Sequence, residues 1–319
     1  MSARSSIGTA PPGRFSGGVH PPEHKELSRS AVIEVMPPPA EIVLPLLMHT
    51  GAPCAPVVEP RAEVVWGARV ADSEAFISAP IHSPVAGVVQ REGVATLPNA
   101  RHVKTLPIKT GPTQPSAEEI HTDVLGGEWP ADGINDRTPE EIVQAVRAAG
   151  IVGQGGAAFP THVKLARNPK KPVDTILVNG CECEPYLTAD YRVMVEAPAP
   201  VISGARLAAR AAGAATVVIA VEDNKPEAIA ALREAAGGTD VRIMAVPTRY
   251  PMGGEKQTVR VATGRTIPTG GLPLDVGVVV INVETSLACA RAVWRGKPLT
   301  HLVVTVTGGG VAQPKNILA

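Results

Sequence analysis

Small residues crowd one stretch of this chain, Gly150-Ile-Val-Gly153-Gln154-Gly155-Gly156-Ala157-Ala158-Phe159-Pro160-Thr161-His162-Val163-Lys164. A loop of this composition lets its backbone approach a ligand closely, and its N–H groups can converge on an anion. Lys164 follows at a distance suited to neutralising a phosphate, and Phe159 offers a flat ring for stacking. The pattern is neither the Gly-x-Gly-x-x-Gly of a dinucleotide fold nor the Gly-Lys-Ser/Thr of a Walker loop. A plain flexible loop is also glycine-rich; the Phe-Pro-Thr and the lysine set this one apart.

Three further segments carry polar groups where an apolar run ends. Val178-Asn179-Gly180-Cys181-Glu182-Cys183-Glu184-Pro185 follows a buried strand. Asn179 can both donate to and accept from a ring imide, and Glu182 and Glu184 can accept from ribose hydroxyls or a carboxamide. In Arg249-Tyr250-Pro251-Met252-Gly253-Gly254-Glu255 a strand turns into a helix, and a glycine pair at a helix N-terminus favours anions. Glu255 equally suits a first-turn acid. In Val280-Ile281-Asn282-Val283-Glu284-Thr285, Asn282 suits either a ligand hydrogen bond or a turn cap. Polar groups at carboxyl strand ends are where a parallel sheet places a site, so the four segments together are expected to line one rim. No residue is nominated as a catalytic acid or base, and none as a metal ligand.

The elements that must hold this rim are readable. Thr138-Pro139-Glu140-Glu141 is a helix start with a cap, a first-position proline and a capping box, and Gly150 stops that helix. Strands are expected at 175–178, 216–221, 241–246, 276–283 and 301–307. Helices are expected at 199–212, 225–236, 254–262 and 285–295. Continuous apolar strands alternating with helices imply a mostly parallel, Rossmann-like α/β sheet covered on both faces. Upstream, short runs at Val57-Val58, Val64 to Trp66, Phe76-Ile77, Val85 to Val89 and Val103 to Ile108 suggest a small β-rich barrel or sandwich. The expected divisions are a Pro-rich extended arm at 1–40, the barrel at 41–110, a linker at 111–137, the α/β unit at 138–300 and a newly begun element at 301–319. That last element has nothing to finish it, so the chain reads as a truncated product or a fragment.

The 319 residues allow two or three domains at roughly 100–200 residues each. Aromatic residues are 3% and apolar residues 44%, so aliphatic side chains must do most of the packing. Thirty Lys and Arg balance thirty Asp and Glu, which argues against a nucleic-acid surface and against electrostatic membrane attachment. No window approaches the roughly 18 apolar residues of a spanning helix, so membrane association would run through a partner. The four cysteines, Cys54, Cys181, Cys183 and Cys289, contain one C-x-C and no C-x-x-C run, and read as reduced thiols.

At Gly17-Gly-Val-His-Pro-Pro-Glu-His-Lys-Glu-Leu-Ser28 the chain resembles the amino-terminal signature of the RnfC (RsxC) family, a peripheral component of the Rnf ion-pumping electron-transport complex. His49 to Val58 and Ser78 to Gly87 resemble that family's barrel-sandwich domain, which is similar to lipoyl and biotinyl carriers. No lysine occupies the 80–87 turn, so a swinging-arm attachment is not expected. The α/β part is similar to the flavin-carrying, NADH-binding subunit of respiratory complex I. That resemblance implies FMN and NAD(H) as cofactors, with hydride passing from C4 of NADH to N5 of the flavin. It implies Gly153, Gly155, Gly156 and Lys164 near the FMN phosphate and ring, Phe159 near the dinucleotide, Asn179 on the flavin, and Glu182 near the nicotinamide. Asn179 to Pro185 follow the family's Asn-x-Asp-Glu-Ser-Glu-Pro, with Cys181 and Cys183 in place of Asp and Ser. Glu184 falls within that segment; Tyr250, Gly253, Gly254 and Glu255 match its Tyr-x-x-Gly-Glu-Glu, and Asn282 to Thr285 its Asn-Val-Glu-Thr. The resemblance also implies a peripheral place on the cytoplasmic side of the inner membrane, with other subunits of the complex and NADH as partners. It makes 301–319 the start of a ubiquitin-like ligand-binding (SLBB) domain. The 4Fe-4S clusters of the full-length family have no ligand run here. Two other readings are a docking module without catalysis and a cobalamin-reductase-like flavoprotein; the amino-terminal signature disfavours the second.

Overall fold

The structure is a computed structural model that describes residues 17–130 and 132–319. The Pro11-Pro12 pair and the Ser/Gly/Pro-rich start of the arm lie outside the described residues.

The first strand, β1 (Ile33–Val35), leaves the arm and is followed by eight short strands. These are β2 (Glu41–Pro45), β3 (Ala55–Pro56), β4 (Glu63–Val64), β5 (Arg69–Asp72), β6 (Ile81–His82), β7 (Gly87–Val89), β8 (Gly93–Thr96) and β9 (His102–Thr110). One antiparallel sheet runs β2-β9-β7-β4 with β8 also on β9, and a second runs β3-β5-β6. Together they make the barrel sandwich. Its core is aliphatic, with Leu46, Val70, Ile81, Val89, Leu106 and Ile108 buried. Truncating Ile108, which is fully buried, to alanine would cost about 2–5 kcal/mol. Phe76 and Ile77 are not a strand. They are 68% and 40% exposed, and their carbonyls accept from His162 and from the Ala52 N–H rather than from a ladder.

The stretch expected to be a linker holds a helix, α1 (Ala117–Val124). Ser116 and Glu119 close a capping box at its start, and Ile120 and Val124 enter the main core. The glycines and prolines on either side masked that signal.

The α/β unit then alternates helices and strands: α2 (Pro139–Ala148), α3 (Thr161–Leu165), β10 (Thr175–Gly180), α4 (Ala189–Glu196), α5 (Pro198–Ala212), β11 (Thr216–Glu222), α6 (Pro226–Ala235), β12 (Val241–Val246), α7 (Glu255–Thr263), β13 (Val278–Asn282) and α8 (Val283–Arg295). Thr138 and Glu141 form the expected capping box on α2. The short helices α3 and α4 were not anticipated. The sheet order is β12-β11-β10-β13, all parallel. Alternate residues face opposite sides, as a period of two requires. Ile176, Val178, Ile219 and Ile281 join the core under α5 and α8, whereas Leu177, Val218, Ala220 and Val280 join the core under α7. Burial on both faces is why the strands read as unbroken apolar runs. Helices α5 and α8 cross tightly, since a Cβ on Gly204 would lie 1.7 Å from the Ser286 carbonyl oxygen.

Two last strands, β14 (Val303–Val306) and β15 (Lys315–Leu318), are antiparallel, and β1 from the arm pairs in parallel with β15, Ile33 opposite Asn316. No helix among the described residues is long and apolar enough to cross a membrane.

Candidate functional site

The glycine-rich loop is pinched at its neck. Gly153 donates to the Phe159 carbonyl at 3.0 Å, and Thr161 donates to the Ile151 carbonyl at 3.0 Å. Gln154 N–H donates to Thr285 Oγ1 at 3.0 Å, which ties the loop to the first turn of α8. The tip, Gly155 to Ala157, is exposed, while Phe159 is half-buried. Among the described residues the N–H groups of Gly155 and Phe159 have no acceptor. Gly155 lies directly on Asn282: a Cβ there would sit 2.7 Å from Asn282 Nδ2. A Cβ on Gly156 would meet nothing within 4 Å.

Beneath the loop is the carboxyl edge of the sheet. Asn179 and Asn282 are register partners on the neighbouring strands β10 and β13. Asn282 caps α8, its Oδ1 accepting from Glu284 N–H at 2.7 Å, while its Nδ2 donates to Asp190 Oδ2 at 2.7 Å. Asn179 Nδ2 donates to the Gly253 carbonyl at 2.7 Å, and its Oδ1 accepts from Cys181 N–H at 3.1 Å. Lys164, on α3, sends its ammonium across to the Val280 carbonyl at 3.1 Å and stands 3.4 Å from Glu255 Oε1. Glu255 opens α7, and Gly254 at the cap supplies no side-chain acceptor to that helix. The rim therefore gathers Gly153, Gly155, Gly156, Phe159, Lys164, Asn179, Gly253, Gly254, Glu255 and Asn282. Its electropositive features are an ammonium, the Gly155 and Phe159 amides and an uncapped helix N-terminus.

Three sequence candidates fall elsewhere. Glu182, expected at a ligand, turns inward with φ 46° and is buried. Its Oε1 accepts from Asp190 N–H at 2.8 Å at the start of α4, and its Oε2 is 3.5 Å from Lys25 Nζ. Glu184 is exposed, and its carbonyl is one of three, with those of Glu182 and Leu187, that accept from Lys25 Nζ. Tyr250 pairs with Val19 of the arm through both backbone bonds, so it belongs to the arm side of the rim.

Behind the rim lies a buried set of charges. Lys225 Nζ donates to the Cys181 carbonyl at 2.6 Å and stands 3.3 Å from Glu222 Oε2. Burial pushes Glu182 up to about 8, against the opposing pull of Lys25, and pushes Asp190 up to about 6. Burial, then the neighbouring Asp190, holds Glu284 well above the carboxylate range. Burial lowers Lys25 despite its carboxylate partner. Burial also raises both thiols of the Cys181–Cys183 pair; Cys183 Sγ accepts from Gly253 N–H at 3.3 Å. Among the described residues no group of three or more His, Cys, Asp or Glu converges to hold a metal ion.

Comparison with known proteins fits this geometry. A family model described as the Nuo51 FMN-binding domain matches residues 146–291, which span the loop and the whole rim, and one described as the RnfC barrel sandwich hybrid domain matches 13–111. Over 306 residues the chain is 38% identical to the RnfC-type component of the Na(+)-translocating ferredoxin:NAD(+) oxidoreductase complex of Acetobacterium woodii, covering 96% of this chain and 67% of that protein. The chain belongs to the RnfC family. Over 304 residues it is 42% identical to the corresponding component of the proton-translocating ferredoxin:NAD(+) oxidoreductase complex of Clostridium ljungdahlii, covering 95% of this chain and 65% of that protein. Over 303 residues it is 42% identical to that of the ion-translocating oxidoreductase complex of Rhodobacter capsulatus, covering 94% and 57%. The chain thus spans between 57% and 67% of the length of these RnfC relatives. A crystal structure of an NAD+-reducing [NiFe]-hydrogenase is similar with a TM-score of 0.49 and 27% identity over 60% of this chain and 39% of that one.

Sequence reasoning missed Asp190, Thr285, Lys25 and Lys225. Thr285 carried a signal, since it follows Asn282 within one helical turn. Asp190 stands eight residues beyond Glu182, in the same loop-to-helix segment. The two lysines carried none, because their partners are supplied by the tertiary fold.

Proposed function

We propose that this chain is the NADH-oxidising flavin module of an ion-translocating oxidoreductase complex. The observation that carries the reading is the stacking of Gly155 on Asn282, register partner of Asn179, inside the segment matched by an FMN-binding family. The residues fit such a group. Exposed backbone at Gly155 and Gly156, the half-buried Lys164 ammonium and the uncapped start of α7 suit a phosphate, by convergent donors and helix polarity. Asn179 keeps acceptor capacity on Oδ1, Asn282 spends its Oδ1 on the Glu284 and Thr285 N–H groups, and both bring amide dipoles to the ring side. When bound, FMN supplies the redox chemistry, accepting a hydride from NADH.

This chain's own groups bind and orient. Lys164 and the loop amides favour negative charge at the rim, both on the phosphate and on the reduced ring. Phe159, Gly253 and Glu255 belong to the rim, and the dinucleotide would lie beside them. Glu182 acts from beneath by fixing the start of α4 and thus Asp190, which holds Asn282. We propose further that the chain sits peripherally on the cytoplasmic side of the membrane, held by other subunits. Titration of the purified chain with FMN, followed by quenching of flavin fluorescence, tests the site. Saturable quenching at one FMN per chain is expected; flavin emission unchanged by excess protein would refute it.

A further inference from the structure

The glycine-rich loop is gripped by the barrel, a domain to which the family comparison assigns no part in flavin binding. Contacts reach it on both flanks. Arg147 of α2 donates to Asp72 Oδ1 at 2.8 Å and to the Ser73 carbonyl at 2.7 Å, both at the end of β5. Gly150, with φ 68°, faces the Pro80 carbonyl so closely that a Cβ would lie 2.3 Å from its oxygen. On the far flank, His162 Nε2 is 3.2 Å from the Phe76 carbonyl, and the two rings meet edge to face.

The decisive contact is at the tip. Thr50 Oγ1 donates to the Ala157 carbonyl at 2.6 Å, and Thr50 N–H donates to the Ala158 carbonyl at 3.1 Å. Ala158 has φ 49°, a left-handed conformation that costs an L-residue energy and persists only where its surroundings enforce it. Thr50 grips the carbonyls on either side of that residue's α-carbon. A trans peptide sets C=O and N–H in opposite directions. Two carbonyls turned into the barrel therefore turn the N–H groups of Ala158 and Phe159 away from it.

We propose that the barrel sandwich forms one wall of the nucleotide site, with Thr50 as a positioning residue that holds the glycine-rich loop in its ligand-ready shape. The inference deepens the flavin reading and rests on it for its consequence, but the loop conformation itself can be read without any ligand. Thr50 touches no reacting atom; it acts through Ala157 and Ala158.

Three proteins decide the matter: the wild-type chain, Thr50→Val and Thr50→Ser. Hydrogen exchange of the ligand-free proteins is read over 153–159, where the bonded Gly153 and Gln154 amides carry the protection, and FMN affinity by fluorescence quenching. Loss of one hydrogen bond that fixes a strained turn should speed exchange in that peptide about three- to tenfold and weaken FMN by a similar factor. Melting temperature should fall by only about 1–3 °C, and Thr50→Ser should restore exchange and affinity. Thr50→Val with wild-type exchange over 153–159 overturns the inference, as does faster exchange that Thr50→Ser fails to reverse. If wild type itself takes up no FMN, the flavin reading fails while the exchange comparison still decides the role of Thr50.

Discussion

Gly155→Ala is the sharpest perturbation of the rim that leaves every charge in place. A Cβ at this position would sit 2.7 Å from Asn282 Nδ2 and 3.0 Å from its Cβ and Cγ, well inside the 3.4–4 Å of ordinary contact. One of two things must yield. If Asn282 rotates, α8 loses its cap, worth about 0.5–2 kcal/mol, and Asp190 loses a charge-assisted hydrogen bond worth about 1.5–3 kcal/mol. If the loop lifts instead, the Gln154 N–H bond to Thr285 breaks at about 0.5–1.5 kcal/mol. Lifting is the cheaper route, so stability should fall by only about 1 kcal/mol. The raised loop no longer presents its amides to the rim, and FMN affinity should drop about tenfold or more. Gly156→Ala is the control, because its Cβ would meet nothing and stability should not change. Urea denaturation and flavin titration give the two numbers. If Gly155→Ala matches wild type in both, the contact between loop and Asn282 does not shape the site.

Other predictions follow from single residues. Lys164→Ala removes the ammonium that donates to the Val280 carbonyl of β13 and should weaken FMN at least tenfold, at about 1.4 kcal/mol per factor of ten, with little effect on melting; unchanged retention on a desalting column would contradict its role. Lys25→Met strips three carbonyls of their donor and leaves Glu182 without its ion-pair partner, so about 3–5 kcal/mol of stability should vanish in denaturant titration; a loss below about 1 kcal/mol would contradict the buried ion pair. His82 is buried and its pKa is lowered from 6.5 to about 4, first by burial and then by Arg69. Its folded pKa lies below the unfolded value, so it contributes stability above pH 6.5 that is lost as pH falls toward 4. Relative to wild type, His82→Asn should therefore gain about 3 kcal/mol between those limits, and a pH-independent difference would contradict the buried neutral imidazole.

Much of the rim could be read from residue order. Asn179, Asn282 and the Gly253-Gly254 pair each follow an apolar run, and a parallel sheet delivers the ends of such runs to one edge. The α2 start was equally legible, because a capping box is a local device that needs no partner outside four residues. What escaped was non-local. Glu182 looks like a ligand group in its own segment, but the Asp190 N–H and Lys25, 157 residues away, hold it inward. Thr50 and Ala157 are 107 residues apart and belong to different domains. The described part of the arm holds a 3-10 turn at Lys25–Leu27, and its β1 strand pairs with β15 near the other end of the sequence, a partner that no periodicity announces.

The most direct measurement is anaerobic mixing of the FMN-loaded chain with NADH, followed by absorbance of the oxidised flavin band. The account predicts bleaching that saturates with NADH and is lost in Lys164→Ala through loss of the flavin. Full occupancy by FMN with a spectrum indifferent to NADH would contradict it.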